Sequence, residues 1–462
     1  MSRRTTILAA ILIAALGASS CSTVGKLNPF GKKDKAAKEL AGEGQRISII
    51  PPDQLLAPAA ALKGVDFALP PVQTIAEWPL PGGTPEQVVG NVSAGANLSV
   101  AWRKSFGQGS RRGRYVTAPP VAADGKVFLM DGDGRAVAVD ARTGAQIWRT
   151  GANPGDNKRD KVAFGGGVAY ADGKLYVSSG FRNVMQLDAR TGALGWRTKT
   201  SESIHGAPTV AGGRVFVVAL DNTLLTFDAA TGAPSWTYQA LAESARILSA
   251  SSPAVSGDTV VAAFGSGELV AIRAANGNDL WNEALSRASR TSALSEIRDI
   301  PGRPAIYNGD VFAVSHSGVF AATDLRTGQA RWTLPVVGVT APLVAADVVY
   351  AVSKDGLVIC AARENGQIYW IKNLNEGFKS KRKGGVLGVG GQKQIRPIWS
   401  GPLLSNDRLL IVGQTGQMVV MNAKTGEIQK RIELKGASVT SPIAMGDTVY
   451  VVTQEADLIA IR

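Results

Sequence analysis

Three observations predict an all-β chain folded as an eight-bladed β-propeller with four-stranded blades. The block DARTGAQIW at 140–148 returns as DARTGALGW at 188–196 and DAATGAPSW at 228–236. Tryptophans at 102, 148, 196, 236, 281, 332 and 370 recur every 38 to 51 residues. Eight β-rich stretches, beginning near KVFLM, KLYVS, RVFVV, TVVAA, DVFAV, VVYAV, RLLIV and TVYVV, stand between turn signals. A period of ~40 to 50 residues with four strands per unit belongs to a propeller and not to a helical solenoid. A chain of 462 residues is also long for one ordinary core, which stops growing near ~250 to 300 residues, whereas stacked repeats bury one another's faces.

The first element is an export signal over residues 1–20. Arg3 and Arg4 precede an apolar run from Ile7 to Ala18, which ends in small residues before Cys21. That run is too short for a bilayer, which needs ~20 residues. Ala18-Ser19-Ser20-Cys21 resembles a lipobox, with Cys21 as the lipidated first residue of the mature chain; the alternative is cleavage near Ser20 that leaves a plain thiol. Residues 21–96 are Lys-rich around GKKDKAAKELAGEG and then Pro-rich through PPDQLLAPAAALKGVDFALPPV, the composition of a tether with at most short ordered pieces.

The propeller is expected over 97–462. Each unit opens near a proline (119, 208, 253, 304, 342, 402 and 442), and its third and fourth strands are joined by Asp-x-x-Thr-Gly. Asp140, Asp188 and Asp228 are placed to accept turn amides, and Gly144, Gly192 and Gly232 to take a positive φ. The Trp that follows each turn is expected to cover the seam to the next blade. The last unit stops at Arg462 without a turn or Trp, while NLSVAWRKSF carries Trp102 with no blade before it. An N-terminal strand completing the C-terminal blade closes the ring and removes its open edges. Lys430 stands where the seventh unit would have its Trp. Before it, the stretch 372–396 is a basic insertion, either a solvated excursion or an anion-binding loop.

Chemistry-bearing clusters are few. His205 and His316 fall on different units, and Cys360 lies among apolar neighbours in LVICAA, so zinc has no ligand set. DGDGR at 131–135 imitates a calcium loop but places Arg135 and Arg142 at ligand positions, so it reads as a hairpin turn. AFGGGVAYADG at 163–173 lacks the Lys-Ser/Thr of a phosphate loop. The net charge of +13 suits anionic partners, and for an exported chain these are lipid headgroups, acidic proteins or peptidoglycan and not nucleic acid.

The repeat GxVYxxxxdGxLxAlDxxTGxxxW resembles that of quinoprotein alcohol dehydrogenases, eight-bladed propellers that hold pyrroloquinoline quinone on the axis. Those enzymes use an adjacent cysteine pair and a calcium site that this chain lacks, so no cofactor or catalytic residue is expected. The export signal, Cys21 and a propeller of this length together resemble the BamB family, lipoproteins of the outer-membrane β-barrel assembly machine. Ser22 is consistent with sorting to the outer membrane.

The resemblance implies a non-enzymatic scaffold on the periplasmic face of the outer membrane, a monomer within a hetero-complex. It would bind the POTRA domains of BamA, other Bam subunits and nascent outer-membrane proteins. The family's contact loops precede the first strands of two adjacent blades and match SARILSASSP at 244–253 and SEIRDIPGRP at 295–304. Arg246, Ile247 and Leu248 of the first and Arg298 and Asp299 of the second are the implied partner-binding residues. The family's Leu-x-Leu-Arg order is not kept, and its second acidic position is Pro301. The alternatives are a quinone-dependent dehydrogenase and a propeller that binds envelope lipid or peptidoglycan through 372–396.

Overall fold

The computed structural model describes residues 56–153, 163–243, 251–286, 297–376 and 397–462. Cys21, Arg246, Ile247, Leu248 and most of the basic insertion lie outside them. Among the described residues, 32 strands form eight antiparallel four-stranded sheets. Blade 1 holds Val121–Ala123, Lys126–Met130, Arg135–Asp140 and Gln146–Gly151, from the axis outward. Blades 2 to 7 repeat this order along the chain. The ring closes as expected: Val100–Ser105 pairs antiparallel with Asp457–Ile461 as the fourth strand of blade 8.

Period-2 alternation sends the two sides of each blade into different cores. In blade 1, Val127, Leu129, Val137 and Val139 pack with blade 8, whereas Phe128, Met130, Ala136 and Ala138 pack with blade 2. Each later seam has the same two-sided construction. The middle strands therefore read as continuous apolar runs because both faces are covered.

The recurring nine residues lock the seams. Asp188 Oδ1 accepts from the Thr191 amide at 2.9 Å and the Thr191 hydroxyl at 2.8 Å, while the Gly192 amide donates to the Asp188 carbonyl at 2.8 Å. Gly192 has φ 74°, and a Cβ there would come within 2.7 Å of the Trp148 ring of the preceding blade. The Trp148 Nε1–H donates to the Ala189 carbonyl at 3.0 Å. The indole thus covers the glycine and caps the backbone of one and the same turn. Trp196, Trp236, Trp281 and Trp332 donate in the same way to Ala229, Ala274, Leu325 and Arg363.

In two seams another residue takes this bond. Tyr350 and Tyr450 donate from their hydroxyls to the carbonyls of Ala423 and Ala141 at 3.0 and 2.8 Å, and the indole nitrogens of Trp370 and Trp102 have no partner. At Lys430, no turn of this kind exists in the next blade, because the chain ends break blade 8 at that point. An indole there has no glycine to cover; Lys430 Nζ donates instead to the Leu98 carbonyl at 3.2 Å.

Two expectations are revised. Pro402 does not open its strand but sits within Trp399–Ser405, where pairing shifts between Ser400 and Leu403 because proline has no amide to donate. Residues 21–96, whose composition suits a tether, are from Leu56 onward held against the ring, and Leu56–Arg462 forms one compact unit. Trp78 and Val92 are buried in one core cluster and Leu80 in another.

This strap hydrogen-bonds to every blade. It meets blade 1 at Ala122, blade 2 at Tyr170, blade 4 at Val255, blade 5 at Ile306, blade 6 at Ile368, blade 7 at Leu404 and blade 8 at Gly446 through backbone bonds of 2.6 to 3.1 Å. Gln87 reaches Thr209 of blade 3 at 3.2 Å. Most of these contacts lie on the first strands, close to the turns that lead into the second strands. The opposite face carries the connections between blades.

Candidate partner-binding face and axial cavity

The two loops singled out by sequence are consecutive inter-blade connections on the unstrapped face, ahead of Ala254–Ser256 in blade 4 and Ala305–Tyr307 in blade 5. Their stems are rigidly held. In the first, the Leu241 amide donates to Glu268 Oε2 at 2.7 Å and its carbonyl accepts from Asn222 Nδ2 at 2.6 Å. Glu268, itself buried, also accepts from the Ser266 hydroxyl and from Asn282 Nδ2, each at 2.7 Å. Both backbone groups of Leu241 are thus fixed by side chains, while its own side chain is 67% exposed. Sequence reasoning passed over Leu241; the signal was a large apolar residue just past the end of an outer strand, where no neighbouring strand covers it.

In the second loop, Ile300 is fully buried in the seam between blades 4 and 5. Arg298 is exposed, but Asp299 is only 3% exposed, so the structure separates two residues that sequence placed together at a surface. The Asp299 carbonyl accepts from the His316 amide at 2.9 Å. The His316 Nδ1 lies 3.4 Å from the Ile297 carbonyl, and its Nε2 lies 2.8 Å from Lys354 Nζ. An ammonium can only donate, so Nε2 accepts and Nδ1 carries the proton. Burial, then the Lys354 charge, holds the His316 pKa below 6.5, against the bond to Ile297. Lys354 in turn donates its amide to the carbonyl of exposed Val337 at 2.8 Å. Leu241, Arg298, Val337 and Lys354 thus give successive blades an apolar and cationic outer surface.

At the axis on this same face lies a cavity of about 540 Å³ lined by all eight blades. Among the described residues, Tyr115, His205 and Arg303 are its titratable lining, with no carboxylate. Among the described residues no cluster of three His, Cys, Asp or Glu side chains could hold a metal ion. A calcium-bound quinone needs anionic oxygen ligands, so this lining does not fit one. Cys360 is fully buried, and burial pushes its thiol pKa up, which makes it inert. Asp131 behaves as a turn residue, its Oδ1 accepting from the amides of Asp133 and Arg135 at 3.0 Å. No helix among the described residues is long and apolar enough to cross a membrane.

The family model of the outer membrane protein assembly factor BamB matches residues 132–372 and 384–462. The chain belongs to the BamB family. Relatives include the BamB of Burkholderia pseudomallei, 25% identical over 378 residues that cover 79% of this chain and 88% of that protein. The BamB of Escherichia coli K12 is 23% identical over 367 residues, with 79% and 88% covered. A second model, of the β-propeller domain of glucose, ethanol and alcohol dehydrogenases, matches residues 89–174.

Solved structures of similar fold include Moraxella catarrhalis BamB, with a TM-score of 0.63 at 19% identity over 79% of this chain and 99% of that one. The quinohemoprotein alcohol dehydrogenase of Comamonas testosteroni also gives 0.63, at 15% identity over 83% and 80%. The propeller is therefore common to BamB and to quinone enzymes, and the fold alone does not assign an activity.

Proposed function

We propose that this protein is a non-enzymatic scaffold of outer-membrane β-barrel assembly. In this reading residues 1–20 direct export, Cys21 carries the lipid anchor on the periplasmic face, and the propeller binds the POTRA domains of BamA as a monomer within the Bam complex. Other Bam subunits and nascent barrel proteins are its further partners; nucleic acid and cofactors are not. Membership of the BamB family carries this reading. The fixed stems and exposed apolar and cationic side chains of the two adjacent connections support the choice of face, since a modest interface needs an apolar centre with a charged rim.

The test is copurification of BamA from envelopes with a Leu241→Glu, Arg298→Glu double variant. Both side chains are exposed, so the thermal midpoint should be unchanged while recovery of BamA falls at least about tenfold, as expected when ~1.4 kcal/mol or more of contact energy is lost. Undiminished recovery refutes the assigned face. Asp299 is a poor probe because its substitution would disturb a buried site.

The match to a dehydrogenase propeller over residues 89–174 favours a second reading, a quinone-binding protein. Incubation with pyrroloquinoline quinone and calcium separates the two: stoichiometric chromophore supports the dehydrogenase, and none supports the scaffold.

A further inference from the structure

Among the described residues, Arg303 is the one charged side chain in the wall of the axial cavity. It is half-buried, just ahead of the first strand of blade 5, and desolvation lowers its pKa to about 10, which leaves it cationic at neutral pH. Its Nε is buried without an acceptor, and among the described residues its guanidinium makes no ion pair or hydrogen bond. An unpaired buried charge is costly and is normally neutralised or paired. Arginines elsewhere in the chain obey that rule: Arg111, Arg114 and Arg135 all converge on Asp133, and Arg331 and Arg363 share Asp310.

The rest of the wall divides into two chemistries. Tyr115 meets Phe164 edge to face at 5.1 Å, and Phe164 lies 4.6 Å from the His205 ring, making an aromatic side. Thr440 contributes a hydroxyl that is buried without a partner. The volume falls within the ~300 to 1,000 Å³ of small-molecule sites.

We propose that this cavity binds a small organic acid, whose carboxylate pairs with the Arg303 guanidinium and whose apolar body lies against the aromatic wall of Tyr115 and Phe164. A planar fork of donors suits a carboxylate better than a point charge would. Among the described residues no carboxylate lines the cavity to compete for the fork or to repel an anion. An inorganic oxyanion would satisfy Arg303 but not the aromatic wall, so affinity should grow with the apolar part of the ligand.

The experiment is titration calorimetry on the full chain in detergent with acetate, phenylacetate, indole-3-acetate, sulfate and the neutral 2-phenylethanol. The expected result is saturable one-site binding that strengthens from acetate to the aryl acids and is at least about tenfold weaker for sulfate and for the alcohol. Arg303→Met should weaken binding of the aryl acids by at least about tenfold. The same variant should hold or raise the thermal midpoint of the ligand-free protein, since it removes an unpaired charge. A lowered midpoint would show Arg303 to be a structural residue and overturn the proposal. So would an absence of binding across the acids, equal binding of sulfate or the alcohol, or undiminished binding by the variant.

Discussion

Trp281 shows how much one side chain does in this ring. It is 9% exposed, donates to the Leu325 carbonyl at 2.7 Å and covers Gly328 of the next blade. Trp281→Ala should lower unfolding stability by about 3–5 kcal/mol, measured by denaturant unfolding, because it opens a cavity and orphans a carbonyl. Position 430 should behave differently, since Lys430 has no turn to cover, and Lys430→Trp is expected to bring no gain in stability.

His316 makes a prediction about pH. Its folded-state pKa lies below the 6.5 of the free side chain, so the unfolded chain takes up the proton first as pH falls. The stability it contributes is complete above about pH 6.5 and is lost as pH drops toward the folded value. His316→Gln keeps an acceptor for Lys354 and a donor for Ile297 without the titration. Thermal midpoints of the variant should therefore fall less between pH 7.5 and 5.5 than those of the parent; parallel curves would show that His316 is not the group responsible.

At the scale of elements, the turn between third and fourth strands was fully legible in sequence, because its chemistry is local: an aspartate two and three residues before the amides that donate to it, and a glycine where φ is positive. Gly232→Ala tests it, since a Cβ there comes within 2.4 Å of the Trp196 ring. Overpacking alone should cost about 1–3 kcal/mol, with backbone strain in addition, read as a shift in the denaturant midpoint.

The strap was not legible, because it has neither period 2 nor period 3.6, and its anchors (Trp78, Leu80, Val92) are single apolar residues among prolines and glycines. The candidate site was half legible. Sequence located two adjacent connections and exposed Arg298, but Asp299 folds inward, a choice set by long-range packing around Ile300. Leu241 went unnoticed because its exposure depends on where the outer strand ends. The handover of a seam carbonyl from Trp to Tyr350 and Tyr450 was likewise hidden, since it needs the distance between blades.

For the whole molecule, the ring is closed by one short strand of an otherwise distant segment. Removing residues 100–105 should expose the edge of Asp457–Ile461 and promote self-association, visible by light scattering. Count and closure could both be read from the sequence, because the missing fourth strand at one end and the surplus strand at the other are complementary defects.

An open array of repeats would fray from its ends, since each unit leans only on its neighbours. Here a single irregular thread is knotted to all eight sectors of the wheel. No sector can swing away without tugging on the others.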